Sequence, residues 1–294
     1  MKKILDFNSF INESQKVASL SEEQLTFLKY AVKGTWTVNE SGMIDVQGEL
    51  KIHNQKEEIP VEFGEVSGHV YCSTSKQLPS LKGFPKKVGG SYFLSDIEAL
   101  TTLEGSPEEV KGEFSAAGLV NLRSLKGSPK KVRNFTVGSN PFLLSLEHMT
   151  PEITGDLNIH FCNSLKTLEG CAKVVGKSFF VSHCDALISL EGGPQKVKKN
   201  FECMHNKELA SLKGAPLLVR GEFIVKNCPQ LKDISGIPKN AKSYEIFKCQ
   251  SLSPELIKLA EDEEMLKNYI NSGDELEDFL HKKRGTIKGK EFGF

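Results

Sequence analysis

Apolar residues return along most of this chain at a fixed interval. Leu78, Leu100, Leu122, Leu143, Leu165, Leu187, Leu209 and Leu231 open successive copies, at spacings of 22, 22, 21, 22, 22, 22 and 22. Each copy reads roughly L-x-S-L-K/E-G-x-P-x-x-V-x-G-x-F-x-V-x-x-C/N-x-x. Self-similarity of this period marks a solenoid. Each copy is one coil, and it buries its apolar face only by stacking on its neighbours.

Within a copy the pattern passes from irregular to alternating. In the copy from Leu209, Val219, Gly221, Phe223 and Val225 alternate with Arg220, Glu222 and Ile224. Period-two alternation turns one set inward and the other outward, so Val219 to Val225 is expected to be a strand. Gly214 and Pro216 mark the bend before it, because Pro lacks the N–H that a ladder needs. Stacked coils then align a parallel sheet, with strand centres at Leu50, Val70, Tyr92, Phe114, Phe135, Leu157, Phe179, Phe201, Phe223 and Tyr244. The early copies are degenerate, as capping repeats usually are. Gly, Pro and Val at short intervals leave no room for a helix, so the outer side is expected to be an open turn or a second short strand.

The unit resembles the leucine-rich repeat, L-x-x-L-x-L-x-x-N/C-x-L, over residues 44 to 252. Phe223-x-Val225-x-x-Cys228, Phe135-x-Val137-x-x-Asn140 and Leu157-x-Ile159-x-x-Cys162 carry the match, with one extra residue before the next Leu. The resemblance implies that Cys162, Cys184, Cys228 and Cys249, with Asn140 and Asn206, share a position that turns inward and bonds to loop backbone. It implies no particular activity, because fold does not fix function. Cys72 and Cys203 fall on the inward Val position and read as small core residues, while Cys171 replaces a corner residue. His160, His183 and His205 come from adjacent coils. Their registers differ and no carboxylate recurs with them, which argues against a zinc site; no metal or cofactor is expected.

The two ends depart from the repeat. Ser21-x-x-Gln24 is a capping box that starts a helix from about Glu22 to Val32. Its expected role is to cover the first coil's bare edge, with Trp36 packed beside it. Ser253-Pro254-Glu255 starts one or two helices to about Asn271, and Asp274 can cap another to about Lys283. The expected organisation is an amphipathic segment (1–20), a capping helix and linker (21–43), the solenoid (44–252), capping helices (253–283) and a loose basic tail (284–294). In the opening segment Ile4, Phe7, Phe10 and Ile11 share one helical face. It resembles the capsid-targeting propeptides of internal proteins in large T-even-type tailed bacteriophages, which are cut after Glu in a Leu/Ile-x-Glu motif. Ile11-Asn12-Glu13 fits that motif. The resemblance implies a phage protein, located in the host cytoplasm or the virion interior, and cleavage between Glu13 and Ser14.

Composition removes several classes. The 38 basic and 38 acidic residues balance, so no global pull toward nucleic acid or membrane arises. No apolar run approaches the ~20 residues of a membrane span, and none follows Met1-Lys2-Lys3 as a secretory signal would require. Seven cysteines without a CxxC suit a reducing compartment. No nucleophile–base–acid set, phosphate loop or HExxH occurs, so no enzyme is expected.

Recognition is expected on the outward strand face. Its first row is His69, Ser91, Glu113, Asn134, Asp156, Ser178, Asn200, Glu222 and Ser243. The next two rows run from Tyr71 to Glu245 and from Ser73 to Phe247. Exposed aromatics are the usual anchors of a protein contact. Tyr71 with Phe93 is one candidate patch, and Phe180, Met204, Ile224 and Phe247 are another. A basic stripe competes with them: Lys111, Arg133, Lys198, Arg220 and Lys242, with Lys86, Lys87, Lys130 and Lys131 at the Pro corner. It could track phosphates, but Glu108 and Glu109 interrupt it. Glu104, Glu147, Glu169 and Glu191 alternate with lysines nearby. The chain therefore reads as a β-rich, leucine-rich-repeat-like solenoid with helical caps, and as a non-catalytic scaffold for a host or phage protein. An internal virion protein and a nucleic-acid binder are the alternatives.

Overall fold

A computed structural model describes residues 19–276 and 278–283 of the chain. The expected cleavage point at Glu13 and Ser14 and the expected basic tail lie outside these residues.

From the N-terminal side the chain forms α1 (Glu22–Ala31) and an antiparallel hairpin of β1 (Val32–Val38) and β2 (Ile44–His53). The solenoid continues through β3 (Phe63–Val66), β4 (Val70–Ser73), β5 (Lys87–Val88), β6 (Tyr92–Ser95), β7 (Glu109–Ala117) and β8 (Lys131–Gly138). Next come β9 (Glu152–Ile153), β10 (Leu157–His160), β11 (Val174–Val175), β12 (Phe179–Ser182), β13 (Lys196–Val197) and β14 (Phe201–Met204). It ends with β15 (Leu218–Val219), β16 (Glu222–Lys226) and β17 (Ser243–Phe247), closed by α2 (Pro254–Glu261) and α3 (Glu263–Ser272).

The strands stack in two parallel ladders. The main ladder pairs Leu50, Val70, Tyr92, Phe114, Phe135, Leu157, Phe179, Phe201, Phe223 and Tyr244 coil by coil. The parallel solenoid expected from the repeat is therefore the observed fold, in the expected register. The second ladder is short. It takes β3, β5, the starts of β7 and β8, then β9, β11, β13 and β15.

That second ladder corrects the expectation of one strand from Val219 to Val225. Val219 pairs in β15, the chain breaks at Arg220 and Gly221, and Phe223 and Val225 pair in β16. Both halves bury their apolar residues, so alternation alone could not show the break. The bend holds because Gly221 has no side chain; a Cβ there would lie 2.2 Å from Asn200 Oδ1. The one 21-residue copy lacks a residue at this bend, reading Val132-Arg133-Asn134-Phe135. There the two ladders fuse into β8, and the β7–β8 register slips between Val110 and Glu113.

The interior is filled from the same places in every coil. The Leu positions 78, 81, 100, 103, 122, 125, 143, 146, 165, 168, 187, 190, 209, 212 and 231 are all buried. Rings stack along the axis: Tyr92 on Phe114 at 5.6 Å, Phe114 on Phe135 at 5.4 Å, and Phe201 on Phe223 at 5.0 Å. Each buried Leu or Phe contributes about 1.5–3 kcal/mol, and a ring pair adds about 0.5–1.5 kcal/mol.

Two turns repeat as faithfully. The corner glycines, such as Gly214 at φ +86°, adopt the left-handed conformation, and a Cβ on Gly214 would lie 2.4 Å from the Glu191 backbone. His148 stands at this corner in one coil, at φ +65°. Each main-ladder strand also ends on a left-handed residue: Asn54, Thr74, Asp96, Gly118, Ser139, Phe161, His183, His205, Asn227 and Lys248. Nine of these ten are not glycine, and each such residue costs about 1–2 kcal/mol. Packing of every coil against the next must offset that strain.

The ends are sealed as expected, with one correction. Ser21 and Gln24 form the capping box, and Gln24 Nε2 donates to Pro60 O at 2.8 Å. Leu28 is buried, and Phe27 meets Phe63. Residues 32–38, expected to be linker, form β1 on β2 instead; Trp36 packs there against the core. Leu256, Leu259, Leu266 and Ile270 of α2 and α3 cover the last coil. Residues 278–283 are helical, and Phe279 of this turn meets Tyr269.

Candidate functional site

The outward side chains of the main ladder form a regular face from coil to coil. Most of its first row is taken up by bonds within the molecule. Side chains there accept hydrogen bonds from backbone N–H groups one coil on. His69 Nδ1 accepts from Ser91 N at 3.0 Å, Ser91 Oγ from Glu113 N at 3.1 Å, and Asn134 Oδ1 from Asp156 N at 3.0 Å. Asp156 Oδ1 accepts from Ser178 N at 2.9 Å, and Asn200 Oδ1 from Glu222 N at 3.2 Å. The row satisfies donors that the bend between ladders would otherwise orphan. Sequence reasoning read it as an open face, because polar residues at alternate positions look the same in either role.

The second and third rows do form an open face. On the early coils Tyr71 and Phe93 stack with ring centres 5.3 Å apart and planes 15° from parallel. Lys51 Nζ lies 5.4 Å from the Tyr71 ring centre, a cation–π distance. Lys51, His53, Tyr71, Ser73, Phe93 and Ser95 line a recess of about 340 Å³. His53 Nδ1 and Ser73 Oγ are 2.7 Å apart and form its polar edge.

The second patch is divided. Glu202 stands in register between Phe180 and Ile224, and Lys226 stands between Met204 and Phe247. Lys226 is 2.8 Å from Glu245 Oε2 and 5.0 Å from the Phe247 ring centre. Burial raises the Glu202 carboxyl above its ordinary value, against the pull of Lys226. The four apolar residues share a face but not a continuous surface.

The inward polar position behaves as the resemblance implied. Asn140 Nδ2 donates to Ala116 O at 2.8 Å while its Oδ1 accepts from Leu119 N at 2.9 Å; Asn206 does the same with Val181 O and Cys184 N. The thiols of Cys162, Cys184, Cys228 and Cys249 point at carbonyls two residues back. Ser75 occupies this position too, accepting from Gln55 N at 3.0 Å. It went unread because its copy is degenerate. Burial pushes the thiols of Cys72 and Cys171 up to about 12 and that of Cys249 to about 11.

Along the edge where the strands end, Phe161, His183 and His205 are stacked. Ring centres are 4.4 Å apart for the first pair and 4.7 Å for the second. These residues, with Asn227 and Lys248 on one wall and Asp185 and Lys207 on the other, line a groove of about 510 Å³. His160 lies outside the stack, above Gly138. Burial, and then the neighbouring imidazole, lowers His183 and His160 below the ordinary histidine value. Among the described residues no His, Cys, Asp and Glu group has metal-binding geometry.

The basic stripe splits in two. Lys87, Lys130 and Lys131 pair with Glu65, Glu108 and Glu152 of adjacent coils at 2.7–3.0 Å. Lys126 and Lys213 pair likewise with Glu104 and Glu191. The later members, Lys198, Arg220 and Lys242, have no such partner among the described residues, and neither do Lys86, Lys111 and Arg133 of the earlier coils. No described helix is long and apolar enough to cross a membrane. Comparison of the chain with family models, characterised proteins and solved structures returned no match.

Proposed function

We propose that this protein is a non-catalytic scaffold that binds another protein through the exposed face of its main ladder. The observation that carries the reading is the Tyr71–Phe93 pair. Two large rings lie stacked and half-buried on the early coils of the face, beside a recess and under a lysine. Rings held in place before contact lose little freedom on binding, which makes them efficient anchors. The partner on this reading is a host or phage protein, and the chain itself is phage-encoded, as the Met1–Ser14 opening suggests. Phe180, Met204, Ile224 and Phe247 extend the contact as separate points around Glu202 and Lys226.

A photo-crosslinking residue at position 93, in protein expressed in infected cells, tests this. A discrete adduct is expected, and it should disappear when Tyr71→Ser is added beside the crosslinker. Loss of the adduct must leave the circular dichroism melt unchanged. Absence of any adduct at positions 93, 180 and 224 alike would overturn the proposal. Peptide mapping of purified virions tests packaging and cleavage separately: a mature end at Ser14 supports them, and absence of the protein argues against packaging.

A further inference from the structure

The charge pattern on the short second ladder changes half-way along the rod. In the early coils the sign alternates from coil to coil in exact register: Glu65, Lys87, Glu109, Lys131, Glu152. The alternation is satisfied internally, with Lys87 2.8 Å from Glu65 and Lys131 2.7 Å from Glu152. From β11 onward it stops. The same register position holds Val174, Lys196 and Leu218.

Around it lie Lys177, Lys198, Lys199, Arg220 and Lys242, all exposed. Backbone hydrogen bonds hold these segments side by side: Lys199 N to Lys177 O at 3.0 Å, Arg220 N to Val197 O at 3.2 Å, and Lys242 N to Gly221 O at 2.8 Å. None of the six cations has an ion-pair partner among the described residues. Two acids on the neighbouring bend row are engaged elsewhere. Asp156 accepts from Ser178 N, and Glu222 accepts from Asn200 Nδ2 at 3.2 Å. Like charges stacked coil on coil repel, and the row from Glu65 to Glu152 avoids that at its own register position.

We infer that this half of the edge docks an acidic protein segment, at a surface separate from the strand face. Complementary charge is what the six cations lack. The choice of protein over nucleic acid rests on what stands among them. Leu217 is 74% exposed and Val174 39% exposed, giving apolar points within a charged surround, the anatomy of a protein contact. Only one of the six cations is Arg, so the paired forks that suit phosphate are scarce. No aromatic ring is present on which a base would stack. The patch crosses three steps between coils of about 4.8 Å each, a length that four or five extended residues would cover.

Fluorescence anisotropy on the full chain decides it, with two labelled probes: a peptide of alternating glutamate and leucine, and a DNA duplex. Saturable binding of the peptide is expected, weakening as salt rises from about 50 to about 200 mM. Lys177→Glu with Lys199→Glu should reduce peptide affinity about tenfold or more. Leu217→Ser should weaken it at fixed salt, and Tyr71→Ser with Phe93→Ser should leave it unchanged. All these residues are at the surface, and an unaltered melt confirms that each variant is folded. Failure of the peptide to bind, or indifference to the Lys177 and Lys199 reversals, would overturn the inference. So would tighter binding of DNA that ignores Leu217. A strand face that fails its own test leaves these outcomes untouched, because the two surfaces are probed by different variants.

Discussion

Tyr92 holds the inward place that Phe114, Phe135, Phe179, Phe201 and Phe223 take in later coils. Its hydroxyl is buried and meets no hydrogen-bond partner among the described residues. A buried unpaired hydroxyl costs about 1–3 kcal/mol. Tyr92→Phe is therefore expected to stabilise the protein by about 1 kcal/mol or more in a urea titration; a lower midpoint would contradict the packing. The cysteines invite a second measurement. Buried thiols pushed to about 11 or 12 hold almost no thiolate at pH 8. In native protein Cys72, Cys171 and Cys249 should resist a thiol reagent that labels them in guanidinium. His183 supplies a pH prediction. Its folded pKa is lowered, so the unfolded chain binds the proton more readily. Stability should be full above the unfolded value near 6.5 and fall as pH drops through it. Melts recorded across this window check the direction, and His183→Gln should flatten the slope. The inward places of Tyr92 and the cysteines were legible in the repeat, but the unpartnered hydroxyl and the lowered His183 were not, because contacts of an individual group are decided by the coils on either side.

The elements were legible to different depths. The main ladder and its register could be read from Phe and Val at a fixed phase, since stacking rewards the same residue in the same place. The split between the two ladders could not, because a strand with a bend and a strand without one bury the same alternating residues. The β1 hairpin was missed because only its partner strand belongs to the repeat. The Asn position carried the clearest signal, and it yields a stability prediction. Asn140→Ala would leave the Ala116 carbonyl and the Leu119 N–H buried without partners. The expected cost is about 2–4 kcal/mol, measured by urea midpoint. A change below about 0.5 kcal/mol would show that water or a backbone shift replaces the side chain.

At the scale of the whole molecule, coils contact only their neighbours, and stability is close to a sum over steps. Removing residues 166–187 joins Leu165 to Ile188 and deletes one step without altering the register of the rest. Such a variant is expected to fold, with unchanged spectral shape and a lower melting midpoint; an unfolded product would show that contacts beyond nearest neighbours matter. The surface was read least well, since alternation marks a residue as outward but not as vacant. Most of row one proved to accept backbone donors, three of the nine stripe cations proved to be paired with acids, and the remainder is open to a partner. The uniformity of the coils also has a kinetic side. A refolding chain of interchangeable steps can be miscounted, with one copy looped out and its neighbours docked as if adjacent. The short copy at Val132–Phe135 breaks that interchangeability, because it lacks the bend residue of the 22-residue copies and its pairing with β7 slips in register. It acts as a fiducial mark from which the other steps can be threaded in the right order.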